Sequence, residues 1–110
     1  MAEVENKMEE LQNPLRYYFG SNHPFFTEVC DILVTLHEQY GNYESALSYC
    51  RTSLANMIQL CGGNNMHIKL AGNFYQIGEC LLKWGRIDEA ISNFKKAKNV
   101  LEFNEYTTDR

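Results

Sequence analysis

The stretch LLKWGRIDEAISNF (Leu81–Phe94) decides the fold, because it places a glycine in the middle of a helical pattern. A glycine inside a helix costs about 1 kcal/mol relative to alanine, so Gly85 is a poor helix-interior residue. Glycine also adopts the positive φ that ends a helix, and Asp88 or a neighbour can start the next one. The stretch therefore predicts two packed helices joined by a tight turn at Gly85.

The stretch HEQYGNYESALSYC (His37–Cys50) repeats this pattern 44 residues earlier. In this register Gly41 aligns with Gly85, and Ala46 aligns with Ala90. The other aligned pairs are Cys30 with Phe74, Leu33 with Ile77, Tyr40 with Trp84, Tyr43 with Ile87, Leu47 with Ile91, Cys50 with Phe94 and Ser53 with Ala97. Matches at one fixed offset indicate an internal repeat. We therefore expect two units of two helices each, in which the small Ala46 and Ala90 allow close approach.

Apolar residues at helical spacing predict which face of each helix is buried. In the second unit these residues are Phe74, Ile77, Gly78 and Leu81, followed by Ala90, Ile91, Phe94, Ala97 and Leu101. In the first unit they are Val29, Cys30, Leu33, Leu36 and Tyr40, followed by Ala46, Leu47, Cys50, Leu54, Met57 and Ile58. We expect Phe94 to fill the space between the two units.

The second unit resembles a tetratricopeptide repeat. The residues that carry the resemblance are Phe74, Ile77, Gly78 and Leu81, then Gly85, Ala90, Phe94 and Ala97. The first unit resembles a degenerate copy, with Val34 for the first-helix glycine, Cys50 for the aromatic and Ser53 for the last alanine. The spacing is longer than the common form of roughly 34 residues. With the run GSNHP (Gly20–Pro24), it is similar to kinesin light chains and to the C-terminal region of SET–MYND lysine methyltransferases. The resemblance implies an all-α fold of antiparallel helix–turn–helix repeats, stacked as a short right-handed solenoid.

The repeat register divides the chain into four segments. Residues 1–22 are expected to form an N-terminal helix, either a cap or the remnant of an earlier repeat. Residues 23–66 form the degenerate repeat, residues 67–103 the second repeat, and residues 104–110 a frayed tail. Because each repeat needs neighbours to cover its faces, two units rarely stand alone. We therefore expect a capping N-terminal helix, a longer array, or pairing with another chain.

The composition predicts a globular domain with neither membrane spans nor a DNA-binding stripe. The chain has 110 residues, of which 45% are hydrophobic, with a formal net charge of −4 and a pI near 5.3. No stretch approaches the roughly 20 apolar residues of a membrane span, and the acidic N-terminus does not resemble a signal peptide. Direct duplex binding needs a basic stripe, which this charge balance disfavours. We expect a cytoplasmic or nuclear protein.

The sequence contains no catalytic constellation, so we expect a non-enzymatic chain with no cofactor and no metal. Its four cysteines have no CxxC spacing, so we expect small buried hydrophobes rather than zinc ligands. They are Cys30, Cys50, Cys61 and Cys80. His23 and His67 lie at predicted helix starts, where an imidazole ring can cap or pack. The run CGGNN (Cys61–Asn65) lacks the Lys-Ser/Thr that follows a phosphate-binding loop.

The resemblance also implies a binding surface, because the first helix of each tetratricopeptide unit lines a concave groove. The predicted partner-binding residues are Glu28, Asp31, Thr35, Glu38, Tyr75, Gln76, Glu79, Leu82 and Lys83, with Gln39 beside them. Relatives that bind carboxylate tails use Lys, Asn and Arg at such places, where this chain has Asp31, Thr35, Gln76 and Glu79. An acidic groove repels an acidic tail. We therefore expect a basic or apolar peptide or partner helix.

Three functions remain open on these observations. The first is a protein-interaction module or complex subunit, acting alone, as a homo-oligomer or within a larger complex. The second is the C-terminal helical fragment of a SET–MYND-like methyltransferase, separated from its enzyme. The third is an accessory subunit of a nucleic-acid-acting complex, using Lys83, Arg86, Lys95, Lys96 and Lys98. We favour the first, because the chain is acidic and poor in chemical motifs.

Overall fold

The computed structural model describes the backbone of residues 24–108 and the side chains of residues 27–105. Four helices occupy this range: α1 (Pro24–Gln39), α2 (Tyr43–Leu60), α3 (Leu70–Lys83) and α4 (Ile87–Thr108). No strand occurs between residues 24 and 108, so the all-α prediction is confirmed. None of these four helices combines the length and the apolar character needed to cross a membrane. The N-terminal helix predicted over residues 1–22 lies outside the described residues.

The turn at Gly85 is the helix break that the sequence predicts. Gly85 has a φ of 86°, and α4 begins at Ile87. The amide of Gly85 donates to the carbonyl of Leu82 at 3.0 Å, and the amide of Arg86 donates to that of Leu81 at 2.9 Å. This pair of bonds is a Schellman motif, which satisfies carbonyls left free at the helix end and requires a positive φ. Glycine is therefore used here for its backbone freedom.

The two earlier helices end in the same way. At the end of α1, the amide of Gly41 donates to Glu38 at 3.1 Å and that of Asn42 donates to His37 at 2.8 Å, with φ of 75° at Gly41. At the end of α2, Gly62 has a φ of 70° and opens the longer connection to α3. The chain therefore uses one type of helix end three times between residues 24 and 108.

The helices pack in chain order, α1 against α2, α2 against α3 and α3 against α4. We call α1–α2 the first hairpin and α3–α4 the second hairpin. The central cluster takes residues from all four helices: Val34, Ala46, Leu47, Cys50, Ile77, Cys80, Leu81 and Ala90. Ala46 and Ala90 are completely buried. Because burial of apolar surface is the dominant favourable contribution to folding, this cluster holds the two hairpins together.

The buried face of α1 differs from the predicted face. Val34 and His37 are buried, whereas Leu36 is half-buried and Tyr40 is exposed. The His37 ring stacks on Tyr49 of α2, with ring centroids 5.5 Å apart. The prediction relied on apolar residue type, and a histidine that packs through its ring face does not follow that rule.

The buried face of α4 differs as well. Ala90, Ala97 and Val100 are buried, but Ile91 and Leu101, predicted to be buried, are 45% and 51% exposed. Helical spacing places Ile91 and Leu101 along the edge of the buried face. The prediction therefore included Ile91 and Leu101, which lie beside the contact between α3 and α4 but outside it.

The contacts of Phe94 differ from those expected. Its ring lies over Gly78 of α3, where an added Cβ would be 2.6 Å from Phe94 Cε1. The ring centroid is also 5.4 Å from that of Tyr75. Gly78 and Tyr75 both belong to α3, so Phe94 fills space between the two helices of one hairpin rather than between the hairpins.

The last helix continues to Thr108, into the segment 104–110 that was predicted to be a frayed tail. The side-chain amide of Asn104 donates to the carbonyls of Met66 and Val100, each at 2.8 Å. The bond to Met66 joins α4 to the connection that precedes α3. This contact fixes Asn104, the first residue of the predicted tail.

Candidate interaction surface

Asp31 joins α1 to both of the helices that follow it. Its Oδ1 accepts hydrogen bonds from Ser53 Oγ of α2 and from Gln76 Nε2 of α3, each at 3.3 Å. Asn73 of α3 donates in turn to Ser53 Oγ at 3.2 Å. Asp31 is therefore an acceptor in a polar layer between three helices, rather than a carboxylate that points freely into a groove.

The surroundings of Asp31 also change its acidity. Burial raises the pKa of this carboxyl above its ordinary value of 3.8, and the nearby charge of Glu28 raises it further. The hydrogen bonds from Gln76 and Ser53 act in the opposite direction, because they stabilise the ionised form. The net shift is upward, so ionised Asp31 is costly to the fold.

Glu38 and Lys83 form an ion pair that links α1 to α3. Lys83 Nζ lies 2.6 Å from Glu38 Oε2, and the Glu38 side chain is only 13% exposed. The hydrogen bond to Glu38 raises the pKa of Lys83, because it favours the charged ammonium. Thr35 and Gln39 line a depression together with this pair. The structure thus gathers three predicted binding residues, Thr35, Glu38 and Lys83, in one place.

Two of the predicted carboxylates remain for a ligand. Glu28 is exposed and Glu79 is half-buried. Glu38 is neutralised by Lys83, and Asp31 faces two hydrogen-bond donors. The surface between α1 and α3 is therefore less acidic than its sequence implies, and its negative charge is concentrated at Glu28 and Glu79.

Tyr75 and Leu82 lie at one edge of the arc of α3 that holds its five predicted residues. They are seven residues apart and so share one helix face. The Tyr75 ring packs against Phe94 of α4, whereas Gln76 and Lys83 contact α1. Tyr75 and Leu82 are 54% and 51% exposed. The predicted residues of α3 therefore reach from the contact with α1, at Gln76 and Lys83, to the contact with α4, at Tyr75.

A further groove, which the repeat pattern does not predict, lies between α2 and the turn before α4. Its lining residues are Glu44, Leu47, Ser48, Arg51, Thr52, Ala55, Trp84 and Arg86. The Arg86 guanidinium lies 3.8 Å from the centroid of the Trp84 ring. The signal in the sequence is this aromatic and guanidinium on either side of the turn glycine, a pair suited to a cation–π contact.

The cysteine and histidine side chains take part in packing and capping. No disulfide joins the four cysteines, all of which lie in the described part of the chain. Cys61 is half-buried and the other three are buried, so the prediction of small buried hydrophobes is confirmed for three. Burial raises the pKa of the Cys50 and Cys80 thiols, which keeps them in the unreactive protonated form. His67 Nδ1 accepts the amide of Lys69 at 3.2 Å, just before α3. Between residues 24 and 108, no three His, Cys, Asp or Glu side chains lie close enough to hold a metal ion.

Comparison of the chain with protein-family models, with curated proteins and with solved structures found no match. Functional inference for this chain therefore depends on its own contacts. The features that bear on function are the two polar links between α1 and α3 and the exposed apolar residues beside α4.

Proposed function

We propose that this chain is a non-catalytic protein-interaction module. Its two hairpins would stack in the manner of tetratricopeptide repeats, as a short right-handed solenoid. The surface between α1 and α3 would be the concave side and would bind a peptide or helix of a partner protein. In this proposal the chain binds and positions its partners within a complex, and any catalysis is carried out by those partners.

The observation that carries the proposal is the direct link between α1 and α3. Gln76 donates to Asp31, and Lys83 pairs with Glu38. In a solenoid each unit contacts only its neighbours. Contacts between the first helices of successive units are what a stacked arrangement requires, and the ion pair between Glu38 and Lys83 is one of them.

The chemistry of this surface favours a basic or apolar ligand. Glu28 and Glu79 are the carboxylates left for a ligand, and complementary charge increases both specificity and the rate of encounter. Ile32 on α1 is 57% exposed and supplies apolar surface. A peptide with Lys or Arg beside an apolar residue would match this combination.

Charge reversal at the two remaining carboxylates tests the proposal. The full chain carrying Glu28→Lys and Glu79→Lys is compared with wild type by cross-linking in cells, followed by mass spectrometry of the captured proteins. We expect the captured partner to bind the variant about tenfold more weakly, equivalent to about 1.4 kcal/mol. Asp31 is left unchanged, because its replacement would break the polar layer between the helices.

A matched control carries Glu44→Lys and Glu89→Lys, which changes the net charge equally at exposed sites outside this surface. The control is expected to retain the partner, and circular dichroism verifies that both variants keep their helices. Equal binding by all three proteins would remove the acidic surface as the binding site. Recovery of no protein partner by the wild-type chain would overturn the interaction module itself.

A further inference from the structure

Two cysteines meet where the two hairpins join. Cys50 of α2 and Cys80 of α3 both belong to the central cluster, and neither has any exposed surface. Cys80 Sγ lies 3.7 Å from the carbonyl oxygen of Tyr43, so it touches the backbone of α2. Tyr43 and Cys50 are seven residues apart on one face of α2, and a helical side chain leans toward the N-terminus of its helix. The Cys50 side chain therefore leans toward Cys80.

The two thiols are hydrogen-bonded to one another. The Cys50 S–H donates to Cys80 Sγ, and the Cys80 S–H donates to the Tyr43 carbonyl. Both sulfurs thus belong to one short chain of hydrogen bonds between α2 and α3. Cys30 is as deeply buried, but it lies on α1 outside the central cluster. Cys50 and Cys80 therefore form a thiol pair across the junction of the hairpins, and Cys30 provides a comparison of equal burial.

The thiol pair is not a product of the repeat pattern. At the 44-residue offset, Cys50 corresponds to Phe94 and Cys80 corresponds to Leu36, so neither counterpart is a cysteine. A single buried cysteine behaves as a small hydrophobic residue. Two sulfurs in contact have a further chemistry, because they can be joined by a covalent bond.

We propose that Cys50 and Cys80 are a redox-responsive pair that forms a disulfide between α2 and α3. The bond would join the second helix of the first hairpin covalently to the first helix of the second hairpin. A disulfide brings its sulfurs to about 2 Å, so the thiols have to approach more closely than in their hydrogen bond. In a reducing compartment the pair stays as thiols, and an oxidant of the small-disulfide class converts it.

The reaction is two successive thiol–disulfide exchanges. One cysteine, as its thiolate, attacks oxidised glutathione, which forms a mixed disulfide and releases one glutathione. The second cysteine then attacks the sulfur of the first and releases the second glutathione. Each cysteine loses one proton to a departing glutathione thiolate, and two electrons pass from the cysteine pair to the small disulfide.

The folded structure controls when this reaction occurs. Burial raises the pKa of both thiols, so the attacking thiolate is scarce while α2 and α3 are packed. The oxidant also has no path to a fully buried sulfur. The reaction therefore follows a local separation of α2 from α3. Once formed, the bond opposes that separation and holds the two hairpins, with the surface between α1 and α3, in their folded arrangement.

Oxidised glutathione tests the proposal on the full chain carrying Cys61→Ser. Cys61 is replaced because it is half-buried and would react on its own, which leaves three thiols of equal burial. After oxidation the remaining thiols are alkylated, and mass spectrometry identifies the bridged peptides. In the folded chain, we expect the Cys50–Cys80 bridge to be at least about tenfold more abundant than a Cys30–Cys50 bridge, because only neighbouring cysteines can be bridged without moving the backbone.

The same oxidation in denaturing urea is the control for geometry. Cys30 and Cys50 are 20 residues apart, and Cys50 and Cys80 are 30 residues apart. The shorter loop closes at lower entropic cost, so in the unfolded chain the Cys30–Cys50 bridge should be at least as abundant as the Cys50–Cys80 bridge. An equal preference for Cys50–Cys80 in both states would contradict a role for the folded contact.

The bridge should also stabilise the chain. At a fixed urea concentration, the unfolding equilibrium constant of the oxidised chain should be at least about tenfold smaller than that of the reduced chain, because the bond restricts the unfolded state. Dithiothreitol should reverse this change. Cys50→Ala and Cys80→Ala, each in the Cys61→Ser chain, should abolish both the bridge and the change in stability. Cys30→Ala, the matched control, should keep both, and circular dichroism verifies that each variant is folded.

Three results would overturn the proposal. They are the absence of a Cys50–Cys80 bridge from the folded chain, a bridge no more abundant there than Cys30–Cys50, or an oxidised chain less stable than the reduced one. The proposal does not rest on the function proposed above, because it concerns the junction of the hairpins whatever they bind. Its failure would leave capture of a partner through Glu28 and Glu79 intact, so the two hypotheses fail separately.

Discussion

The two hairpins have the same type of turn between their helices, but they differ in what covers them. Gly41 and Gly85 have nearly the same φ, 75° and 86°, and close equivalent Schellman motifs. Leu47 and Ile91 occupy equivalent places beyond these turns, yet Leu47 is 4% exposed and Ile91 is 45% exposed. The difference shows that the identity of an apolar residue does not decide its burial in a repeat. The next helix in space decides it.

The two hairpins also fill the space between their helices with opposite combinations of large and small residues. In the second hairpin a glycine on α3, Gly78, makes room for the large ring of Phe94 on α4. The equivalent residues of the first hairpin are Val34 and Cys50, both fully or almost fully buried in the central cluster. A larger residue on the first helix is thus accompanied by a smaller one on the second. Close packing of interiors makes such compensation necessary.

The largest expected effect separates the buried Leu47 of the first hairpin from the exposed Ile91 of the second. Leu47→Ala should lower the free energy of unfolding by about 2–4 kcal/mol, because it removes buried methyl groups and leaves a cavity. Ile91→Ala, at the equivalent place, should change it by no more than about 0.5 kcal/mol. Urea denaturation of both variants measures the two losses. A loss of several kcal/mol at Ile91 would contradict the expectation, because it would mean that this side chain is buried in the folded chain.

An intermediate effect tests the exchange of volumes between helices. Gly78→Val should destabilise the chain by about 1–3 kcal/mol, because its Cβ meets the Phe94 ring. Combining it with Phe94→Cys recreates the residue types of the first hairpin. The double variant should lose less than the sum of the two single losses, with a coupling of about 1 kcal/mol or more.

Urea denaturation of the two single variants and the double variant gives this coupling directly. Strict additivity would contradict the proposed compensation between Gly78 and Phe94. A Gly78→Val variant as stable as wild type would contradict it too, because the Phe94 ring would then have moved off α3 without any loss in the free energy of unfolding.

The smallest effect concerns the polar layer and depends on pH. The pKa of Asp31 is raised in the folded chain, so the folded state holds this proton more tightly than the unfolded state. The contribution of Asp31 to the free energy of unfolding is therefore greatest below the ordinary pKa of 3.8, and it falls as pH rises through the raised pKa. Asp31→Asn keeps Oδ1 as an acceptor for Ser53 and Gln76 but cannot ionise.

We expect Asp31→Asn to match or exceed wild-type stability at neutral pH, by less than about 1 kcal/mol, and to remove part of the decline above pH 3.8. Unfolding free energies of both proteins, measured across a pH series, test this. Asp31→Leu is the matched control, because it lacks both charge and acceptor and should be less stable at every pH. A steeper decline in the asparagine variant than in wild type would contradict the assignment.

The parts of the fold that could be predicted from sequence are those encoded by local chemistry. Gly41 and Gly85 located both tight turns, because only glycine takes the required φ without strain. The nine predicted binding residues included the pairs Asp31–Gln76 and Glu38–Lys83, but their direct contact could not be foreseen. Helical periodicity identifies the buried face of a helix to within about one residue in each turn. Which residues meet across two helices depends on how far each helix is rotated about its axis.

The amino-acid sequence by itself determined that the described chain is helical, where its hairpins turn, and which positions of the two units correspond. Helical periodicity and glycine φ are local properties, so each is readable from a few neighbouring residues. Only the tertiary structure decided that Glu38 is neutralised, that Asp31 is tied into a polar layer, and that Ile91 faces outward while Leu47 does not. Charge pairing and burial are properties of neighbours in space. Within the described residues, only the first hairpin has a helix of the other hairpin, α3, packed along its second helix.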